Sequence, residues 1–536
     1  MSSAITLIPA SRTPLWRGRL LAWLIALPML LVLAALLLAW SQPQAEIWAH
    51  LRAYVLVEVI SNSVWLMLNV AIGVSVLGIG FAWLSAHCDY PGRRILDWAL
   101  VLPLAMPTYV VAFAWIGVLD YSAPLQTSWR ALSGSRASLF DGRGILGASV
   151  LLSLVLYPYV YVLARSAFLR QGAAGFDAAR CLGHAPFSAF FRVALPLIRP
   201  AWVAGLSLAL LETLADFGAV SILGVDTFTT AIYKTWFGLF SLAGAAQLAT
   251  LLLLAVASVL LLEHWLRGNS QRREVSVRPQ PRLRLQGGRG WLASGGACLL
   301  IALGFGLPVL QLLSWLDLSN FDGSGLLAAS SNTLLLGMCV ATLVLLIGGG
   351  MAWLSHAKPS DGVRGSAEFV ATLGYAIPGT VLAVAVMGLL IAGQHWTSEH
   401  MGLELALVGS ILGVLIALCV RFLRVGHGAV QAGLTQLRPS LFESARLLGA
   451  GRAQRWRQIA WPQLRPSALA AMLLVLVETM KEMPATLMLR PFGWDTLAVR
   501  IYAQTAEGLW VQAAAPGLLL VAAGLLPVWW LVRSQH

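Results

Sequence analysis

The sequence predicts an all-α protein embedded in a membrane, with about twelve transmembrane helices in two tandem repeats of six. Three observations lead to this fold class. Hydrophobic residues make up 58% of the 536 residues and charged residues only 11%, whereas soluble domains carry about a quarter charged residues. Apolar stretches of about 20 residues, long enough to cross a bilayer as helices, recur along the chain. The same short words of sequence return after an interval of 266 to 271 residues.

Twelve apolar stretches are the candidate membrane spans. They cover residues 20–40, 62–86, 96–119, 145–167, 199–223, 243–266, 291–315, 331–356, 364–391, 404–424, 465–488 and 510–533. Proline and glycine interrupt the stretches at 96–119 and 364–391, which predicts helix breaks there. The first stretch follows basic residues but is long for a signal peptide and has no small-residue cleavage site after it. We therefore interpret it as a retained transmembrane helix.

The basic residues set the predicted orientation. The formal net charge is +13, and most Lys and Arg residues fall on one side of the membrane if both termini are cytoplasmic. This bias is typical of cytoplasmic segments, so we expect a multi-pass protein that contacts lipid and not nucleic acid. The five cysteines are scattered without a C-x-x-C pair, and the sequence has no Gly-Lys dipeptide, which a Walker phosphate loop requires.

Several words of sequence recur in order, which indicates an internal duplication. The paired words are Ser61-Asn62-Ser63 with Ser331-Asn332-Thr333, Ala82-Trp83-Leu84-Ser85 with Ala352-Trp353-Leu354-Ser355, Met106-Pro107 with Ile377-Pro378, and Asp226-Thr227 with Asp495-Thr496. We divide the chain into a first repeat at 1–266, a basic linker at 267–290 and a second repeat at 291–536. Both repeats start on the same side, as a parallel repeat does. The linker lacks hydrophobic periodicity and is predicted to be flexible.

Each repeat contains one polar segment between apolar spans, near 170–198 and near 435–464. The first segment carries Asp177, Ala178, Ala179, Gly183 and Pro196, and the second carries Glu443, Ser444, Ala445, Gly449 and Pro462. Acid to glycine is six residues and acid to proline nineteen residues in both. Two short helices joined at the glycine fit this pattern, because Ser440 and Glu443 have capping-box spacing and Gly449 suits a left-handed helix end.

These polar segments have two interpretations. One is an amphipathic helix that rests on the lipid surface. The other is an element that docks on a partner, and two copies with identical spacing favour it. The spacing resembles the EAA loop of the membrane permeases of binding-protein-dependent ABC importers. Asp177, Ser444 and Trp461 depart from that family's usual Glu, Ala and Leu, and each change is chemically mild.

The resemblance covers nearly the whole chain and has clear implications. It implies a fused permease of a bacterial inner membrane, with two type I importer permease repeats. Its partners would be two copies of a cytoplasmic ABC ATPase subunit, docked at the polar segments, and a periplasmic substrate-binding protein. The chain itself would be a transport subunit and not an enzyme, and it would bind no cofactor of its own.

Four acids fall inside the apolar spans, as Glu212 with Asp216 and Glu478 with Glu482. Each pair has i,i+4 spacing, which predicts two carboxylates on one helical face. Acids within a bilayer usually face a bundle interior or an aqueous path, so these acids are candidates for the translocation path. Hard carboxylate oxygens favour a cationic substrate over an anion, without a stable metal site. The alternative is a structural role through hydrogen bonds to neighbouring helices.

The words around these acids, Leu211–Gly218 and Lys481–Leu487, resemble the ferric-iron importer permeases. The resemblance therefore implies ferric iron as the substrate. Thiamine, polyamine and phosphonate permeases have similar halves and remain alternatives. An alternative from another class is a secondary transporter driven by an ion gradient, with the four acids as a proton relay. That alternative leaves the paired polar segments unexplained.

Overall fold

The computed structural model describes residues 15–134, 140–171, 181–183, 185–267, 282–317, 322–357, 362–437 and 439–534. This part of the chain is almost entirely helical. Twelve of its helical segments are long and apolar enough to span a membrane, which confirms the predicted fold class. They are Trp16–Ser41, Ala45–His87, Thr108–Ser133, Gly144–Arg170, Phe190–Ala215, Leu242–Arg267, Gly288–Ser314, Gly323–His356, Gly379–Met401, Ile411–Thr435, Ala453–Lys481 and Trp510–Pro527.

The described helices before the linker include every span of the first repeat. They are α1 (Leu15–Leu38), α2 (Ala45–His50), α3 (Leu56–His87), α4 (Arg93–Ala99), α5 (Thr108–Leu119), α6 (Pro124–Ser133), α7 (Gly144–Gln171), α8 (Pro186–Ala189), α9 (Leu195–Ala215), α10 (Gly218–Ile222), α11 (Phe228–Phe237) and α12 (Leu242–Arg267). Short 3-10 turns lie at Ala39–Ser41 and Leu102–Ala105, and π-helical turns lie at Leu51–Val55 (π1) and Phe190–Ala194 (π2).

The described helices after the linker follow nearly the same order. They are α13 (Gly288–Ile301), α14 (Leu307–Ser314), α15 (Gly323–Ala357), α16 (Gly362–Thr372), α17 (Gly379–Met401), α18 (Ile411–Thr435), α19 (Pro439–Leu447), α20 (Arg452–Arg455), α21 (Trp461–Lys481), α22 (Pro484–Leu489), α23 (Leu497–Ala506) and α24 (Trp510–Ser534). A 3-10 turn lies at Leu373–Ala376, and π-helical turns lie at Ala302–Gly306 (π3) and Trp456–Ala460 (π4).

The helix breaks predicted at the interrupted stretches are present at Pro107 and Pro378. Each proline directly precedes a helix, α5 or α17, and follows a 3-10 turn. The residues before them, Met106 and Ile377, are extended, with ψ of 132° and 127°, because a proline ring disfavours the helical conformation of its predecessor. The stretch at 364–391 therefore divides into α16 and α17, and the spanning helix begins only at Gly379.

The chain packs as two compact units. Unit A comprises Met1–Gln44, Thr235–Thr250 and Asp322–Arg500, and unit B comprises Ala45–Lys234, Leu251–Phe321 and Ile501–His536. Each unit is built mainly from one repeat but takes helices from the other. The two compact units therefore do not coincide with the two sequence repeats.

In unit A, the first helix of the chain packs on helices of the second repeat. Ala22 and Ala26 of α1 lie in one buried cluster with side chains of α15, α16 and α18. The Arg364 guanidinium of α16 occupies the space that a side chain at position 18 would need, and the residue there is Gly18. Small residues on α1 therefore allow the close approach that helices in a membrane use to pack.

In unit B, helices of the second repeat pack on helices of the first repeat. The hydroxyl of Ser294 in α13 donates a hydrogen bond to the Pro91 carbonyl at 2.7 Å. The last helix, α24, approaches the 3-10 turn before α5 so closely that a side chain at Gly524 would clash with the Ala105 carbonyl. The first helix of each repeat thus packs on the other repeat's helices.

The end of the linker is ordered, which corrects the predicted flexibility for that part. Strand β1 (Cys88–Asp89) pairs in parallel with β2 (Leu283–Arg284), and the Leu285 N–H donates to the Asp89 carbonyl at 3.0 Å. Burial raises the pKa of the neighbouring Tyr90 to about 12, so its hydroxyl stays neutral. Linker residues 268–281 lie outside the described part of the chain.

Candidate functional site

The polar segment of the second repeat folds as a short helix closed by a glycine. Glu443, which is exposed, and Ala445 lie in α19. Gly449 follows with φ of +79°. Its N–H donates to the Arg446 carbonyl at 3.0 Å, and the Ala450 N–H donates to the Ala445 carbonyl at 2.9 Å. This pair of bonds is a Schellman motif, which needs a left-handed residue at the position of Gly449. The glycine stop is therefore present as predicted.

The start of α19 differs from the prediction. The helix begins at Pro439, so Ser440 lies in its first turn and not at the cap. Proline is favoured at the first helical position because its missing N–H would have no partner there. Phe442, next to the acid, is buried in a cluster with Ala460 and Leu464. This contact packs α19 against π4 and α21.

The polar segment of the first repeat is described only in part. Asp177, Ala178 and Ala179 lie outside the described residues. Gly183 is described and has φ of +87°, close to that of Gly449. The same left-handed turn therefore occurs in both repeats, 266 residues apart.

Exposed leucines precede both glycines, and the sequence analysis missed them. Leu182 is 82% exposed, and Leu448, its counterpart, is 87% exposed. Leu447 is 89% exposed. An apolar side chain held at the tip of a rigid turn favours contact with a partner. The signal was available, because Leu-Gly occurs at the same spacing in both segments.

The helix after each glycine contains a wide π turn at the same place. α8, π2 and α9 are continuous, as are α20, π4 and α21. In π2 the Leu195 N–H donates to the Phe190 carbonyl, one residue beyond the regular helical partner. Pro196 and Pro462 are the second residues after π2 and π4. In a regular helix a proline ring clashes with the carbonyl four residues earlier, so we attribute the wide turns to these prolines.

A tryptophan braces each π turn. Trp83 of α3 meets Phe190 edge to face, with ring centroids 5.1 Å apart. Trp353 of α15 meets Trp456 in the same way at 4.6 Å. These tryptophans come from the repeated Ala-Trp-Leu-Ser word, so the word serves to anchor the polar segment to the bundle. Edge-to-face ring pairs add about 1 kcal/mol beyond their buried area.

The serine of the same word binds an acid that the sequence analysis also missed. Ser85 donates to Asp97 of α4, and Ser355 donates to Glu368 of α16 at 2.6 Å. In unit A, His427 Nε2 lies 3.0 Å from Glu368. Both acids therefore tie the end of a long helix to the short helix that precedes the next span.

In each pair of intramembrane acids, the second acid is the residue that directly follows the end of the helix. α9 ends at Ala215 and α21 ends at Lys481. The next residues, Asp216 and Glu482, are extended, with ψ of 127° and 118°. The first acid of each pair lies in the last turn of its helix, and the second redirects the chain toward the short helix that follows.

Asp216 caps the short helix that follows the break in unit B. One carboxylate oxygen accepts the Val220 N–H at 3.1 Å, and the other accepts the Thr108 hydroxyl at 2.5 Å. The Asp216 carbonyl accepts the Thr229 hydroxyl at 2.6 Å. A carboxylate at a helix N-terminus satisfies N–H groups that have no partner within the helix.

Glu482 performs the same task in unit A. Its carboxylate accepts the N–H groups of Ala485 and Thr486 at 3.0 and 3.1 Å, and the Thr486 hydroxyl at 3.0 Å. Asp216 is 8% exposed and Glu482 is 6% exposed. For these two acids the geometry favours the structural alternative over the translocation path.

The two breaks accommodate acids of different length. In unit B, the residue after Pro107 is Thr108, which reaches the shorter Asp216. In unit A, the residue after Pro378 is Gly379, where a Cβ would lie 2.5 Å from a Glu482 oxygen. Thr108 therefore fits the shorter Asp216, and Gly379 leaves the space that the longer Glu482 needs.

The first acids of each pair are more accessible. The Glu478 side chain is 46% exposed, with Lys481 Nζ 4.0 Å from its carboxylate. Glu212 is half-buried in α9. These two acids remain candidates for the translocation path. In the described part of the chain, no three His, Cys, Asp or Glu side chains converge to hold a metal ion.

Two of the repeated sequence words contact each other in each repeat. The Asn62 side chain donates to the Asp226 carbonyl at 3.1 Å, and Asn332 donates to the Asp495 carbonyl at 3.0 Å. Asp226 also pairs with Lys234 at 2.7 Å. In both repeats, therefore, an asparagine side chain donates the same hydrogen bond to the loop that follows α10 or α22.

These paired features agree with a comparison against protein families. The model of the binding-protein-dependent transport system inner membrane component matches residues 75–268 and 345–535. Each match contains one polar segment and one of the acid-capped helix breaks at Asp216 and Glu482. The chain belongs to this family. It is a multi-pass inner membrane permease of the ABC importer class and a transport subunit, so the resemblance is confirmed and the ion-gradient alternative is not supported.

Several curated proteins are similar to the permease. It is 26% identical over 484 residues to the Fe(3+)-transport system permease protein FbpB 2 of Haemophilus influenzae, covering 89% of this chain and 90% of that protein. It is 26% identical over 490 residues to the putative ferric transport system permease protein FbpB 1 of the same organism, covering 86% and 74%. The molybdenum transport system permease protein ModB of Escherichia coli is 31% identical over 208 residues, which cover 37% of this chain and 86% of that protein.

Proposed function

We propose that the permease forms the membrane path of an ATP-driven importer for ferric iron, which a periplasmic binding protein delivers. Two copies of a cytoplasmic ATPase subunit would drive it, docked at the turns around Gly183 and Gly449. Both termini would be cytoplasmic. The chain would bind no cofactor, because its partners hydrolyse the ATP.

The observation that carries the docking role is the repeated turn. Each turn holds a left-handed glycine and presents a leucine that is more than four-fifths exposed. A rigid apolar tip loses water-exposed area when a partner covers it. Two such tips in one chain match two copies of one partner. The braced π turns supply a mechanical link from each tip to α9 or α21.

The proposed substrate rests on other support. The relatives named for Fe(3+) or ferric transport align over most of both chains, whereas the molybdenum relative aligns with 37% of this chain. Glu212 and Glu478, with partly exposed side chains in spanning helices, would lower the barrier for a cation. Import of thiamine, a polyamine or a phosphonate is the alternative within the same class.

The deciding experiment measures uptake in cells that lack the gene. Loss of radiolabelled ferric iron uptake, with thiamine and polyamine uptake unchanged and restoration by the intact gene, is the expected result. Uptake should survive an uncoupler while ATP is maintained. If iron uptake persists and one of the other compounds fails to enter, the iron assignment is wrong and the importer class stands.

The double variant Glu212→Gln/Glu478→Gln should slow iron uptake about tenfold, because a barrier higher by about 1.4 kcal/mol has that effect. Co-purification with the ATPase subunit should not change. Uptake of labelled iron into proteoliposomes measures the effect. Glu399→Gln, which neutralises an exposed acid at the end of α17, is the matched control. If the wild type, the double variant and Glu399→Gln take up iron at equal rates, Glu212 and Glu478 have structural roles and do not line the path.

A further inference from the structure

Phe240 occupies a backbone conformation that suits glycine. Among the described residues it is the single non-glycine residue with a positive φ, at +53°. Its side chain is also 89% exposed. In the left-handed region a Cβ crowds the following carbonyl, so the residue is strained. Because the side chain is exposed, packing against the rest of this chain does not offset the strain.

The second repeat shows that the turn needs a left-handed residue but not a phenylalanine. Phe240 lies in the turn between α11 and α12. The turn between α23 and α24 corresponds to it and contains Gly508 with φ of +77°. Glycine meets this backbone requirement without strain. A phenylalanine at this position therefore points to a use outside the fold, since strain in a folded structure often marks a functional site.

Hydrogen bonds hold the base of this turn rigidly. The Ser241 N–H donates to the Thr235 carbonyl at 3.2 Å, and the Ser241 hydroxyl donates to Gln44 at 2.9 Å. The Gln247 side chain donates to the carbonyls of Ala39 and Gln42 at 2.9 and 3.0 Å. All of these residues belong to unit A. The ring of Phe240 is therefore presented on a fixed support.

Chain connectivity assigns the turn to the face opposite the polar segments. α9 crosses the membrane once between Gly183 and the turn. Lys234, six residues before Phe240, is 65% exposed and pairs with Asp226, which is 39% exposed. An accessible ion pair so close along the chain indicates water rather than hydrocarbon. Leu239 and Phe237 are 39% and 43% exposed and extend the apolar surface.

We propose that Phe240 is a contact residue for the substrate-binding protein and inserts into an apolar pocket on one lobe of that partner. The proposal rests on the proposed function. A lipid contact explains the observations less well, because a fluid bilayer has no pocket that rewards a strained, fixed ring. The bilayer also surrounds both repeats alike, whereas the corresponding turn of the second repeat presents Glu507 and Gly508.

The test is a Phe240→Gly variant, reconstituted with the ATPase subunit in proteoliposomes. ATP hydrolysis is titrated with the purified, ferric-iron-loaded periplasmic binding protein of the same organism. The half-maximal concentration of binding protein should rise about tenfold, as expected for loss of an aromatic anchor. Basal hydrolysis should not change. The thermal midpoint of the variant in detergent should equal or exceed that of the wild type, because glycine removes the strain.

The matched control is Trp265→Ala, which removes an aromatic ring that is 76% exposed at the other end of α12. It should leave the half-maximal concentration unchanged. An unchanged half-maximal concentration in Phe240→Gly would overturn the proposal. If that variant instead inserts poorly and responds normally to the binding protein, Phe240 contacts lipid. If the wild type is not stimulated by the binding protein, the proposed function fails as well, and this proposal fails with it.

Discussion

A Glu482→Ala variant is expected to insert into the membrane but to lose much of its folded stability and its transport. The substitution removes the acceptor of the Ala485 and Thr486 N–H groups. Glu482 is 6% exposed, so water does not replace it. Leaving such donors unsatisfied should cost about 3 kcal/mol. Thermal unfolding of the purified permease, followed by size-exclusion chromatography, measures the loss.

Two controls separate this effect from loss of charge. Glu478→Ala, four residues earlier and 46% exposed, should change stability by less than about 0.5 kcal/mol. Gly379→Thr alone should destabilise unit A, since its Cβ would lie 2.5 Å from a Glu482 oxygen. Gly379→Thr combined with Glu482→Asp should recover most of that loss, because it reproduces the Thr108–Asp216 pair. Equal stability of the Glu482 and Glu478 variants would contradict the capping role.

A Gly449→Pro variant should abolish uptake while the protein still inserts. Proline requires φ near −65°, and Gly449 has φ of +79°. Proline also lacks the N–H that donates to Arg446. The Schellman motif would be lost and Leu448 would point elsewhere. Iron uptake and co-purification with the ATPase subunit are the measurements.

Gly451→Ala provides the matched control, because Gly451 has no positive φ and no atom within 4 Å of an added Cβ. It should transport normally. Glu443→Lys should resemble Gly449→Pro, since it reverses an exposed charge on the same docking element. Wild-type uptake in Gly449→Pro and Glu443→Lys together would refute the coupling role of this segment.

Local signals in the sequence determined a large part of this protein. Hydropathy depends on composition within a window, and it predicted all twelve spans. The proline breaks before α5 and α17 and the left-handed Gly449 follow from the conformational limits of single residues. The duplication was visible because the two copies of each word stand in the same order. The spacing of the acid, glycine and proline in the two polar segments carried the family resemblance.

Tertiary structure alone decided which distant residues support the helix ends and which helices meet. The Asp216 carboxylate that follows the end of α9 is held by the Val220 N–H and by Thr108. Thr108 lies more than a hundred residues earlier in the chain, and no local pattern encodes that contact. The packing of α1 on the second repeat likewise depends on the space that Gly18 leaves for Arg364. Helix propensity and hydropathy act over a few turns, whereas the Thr108–Asp216 contact, helix exchange and the support of the turn at Phe240 arise only when distant segments share space.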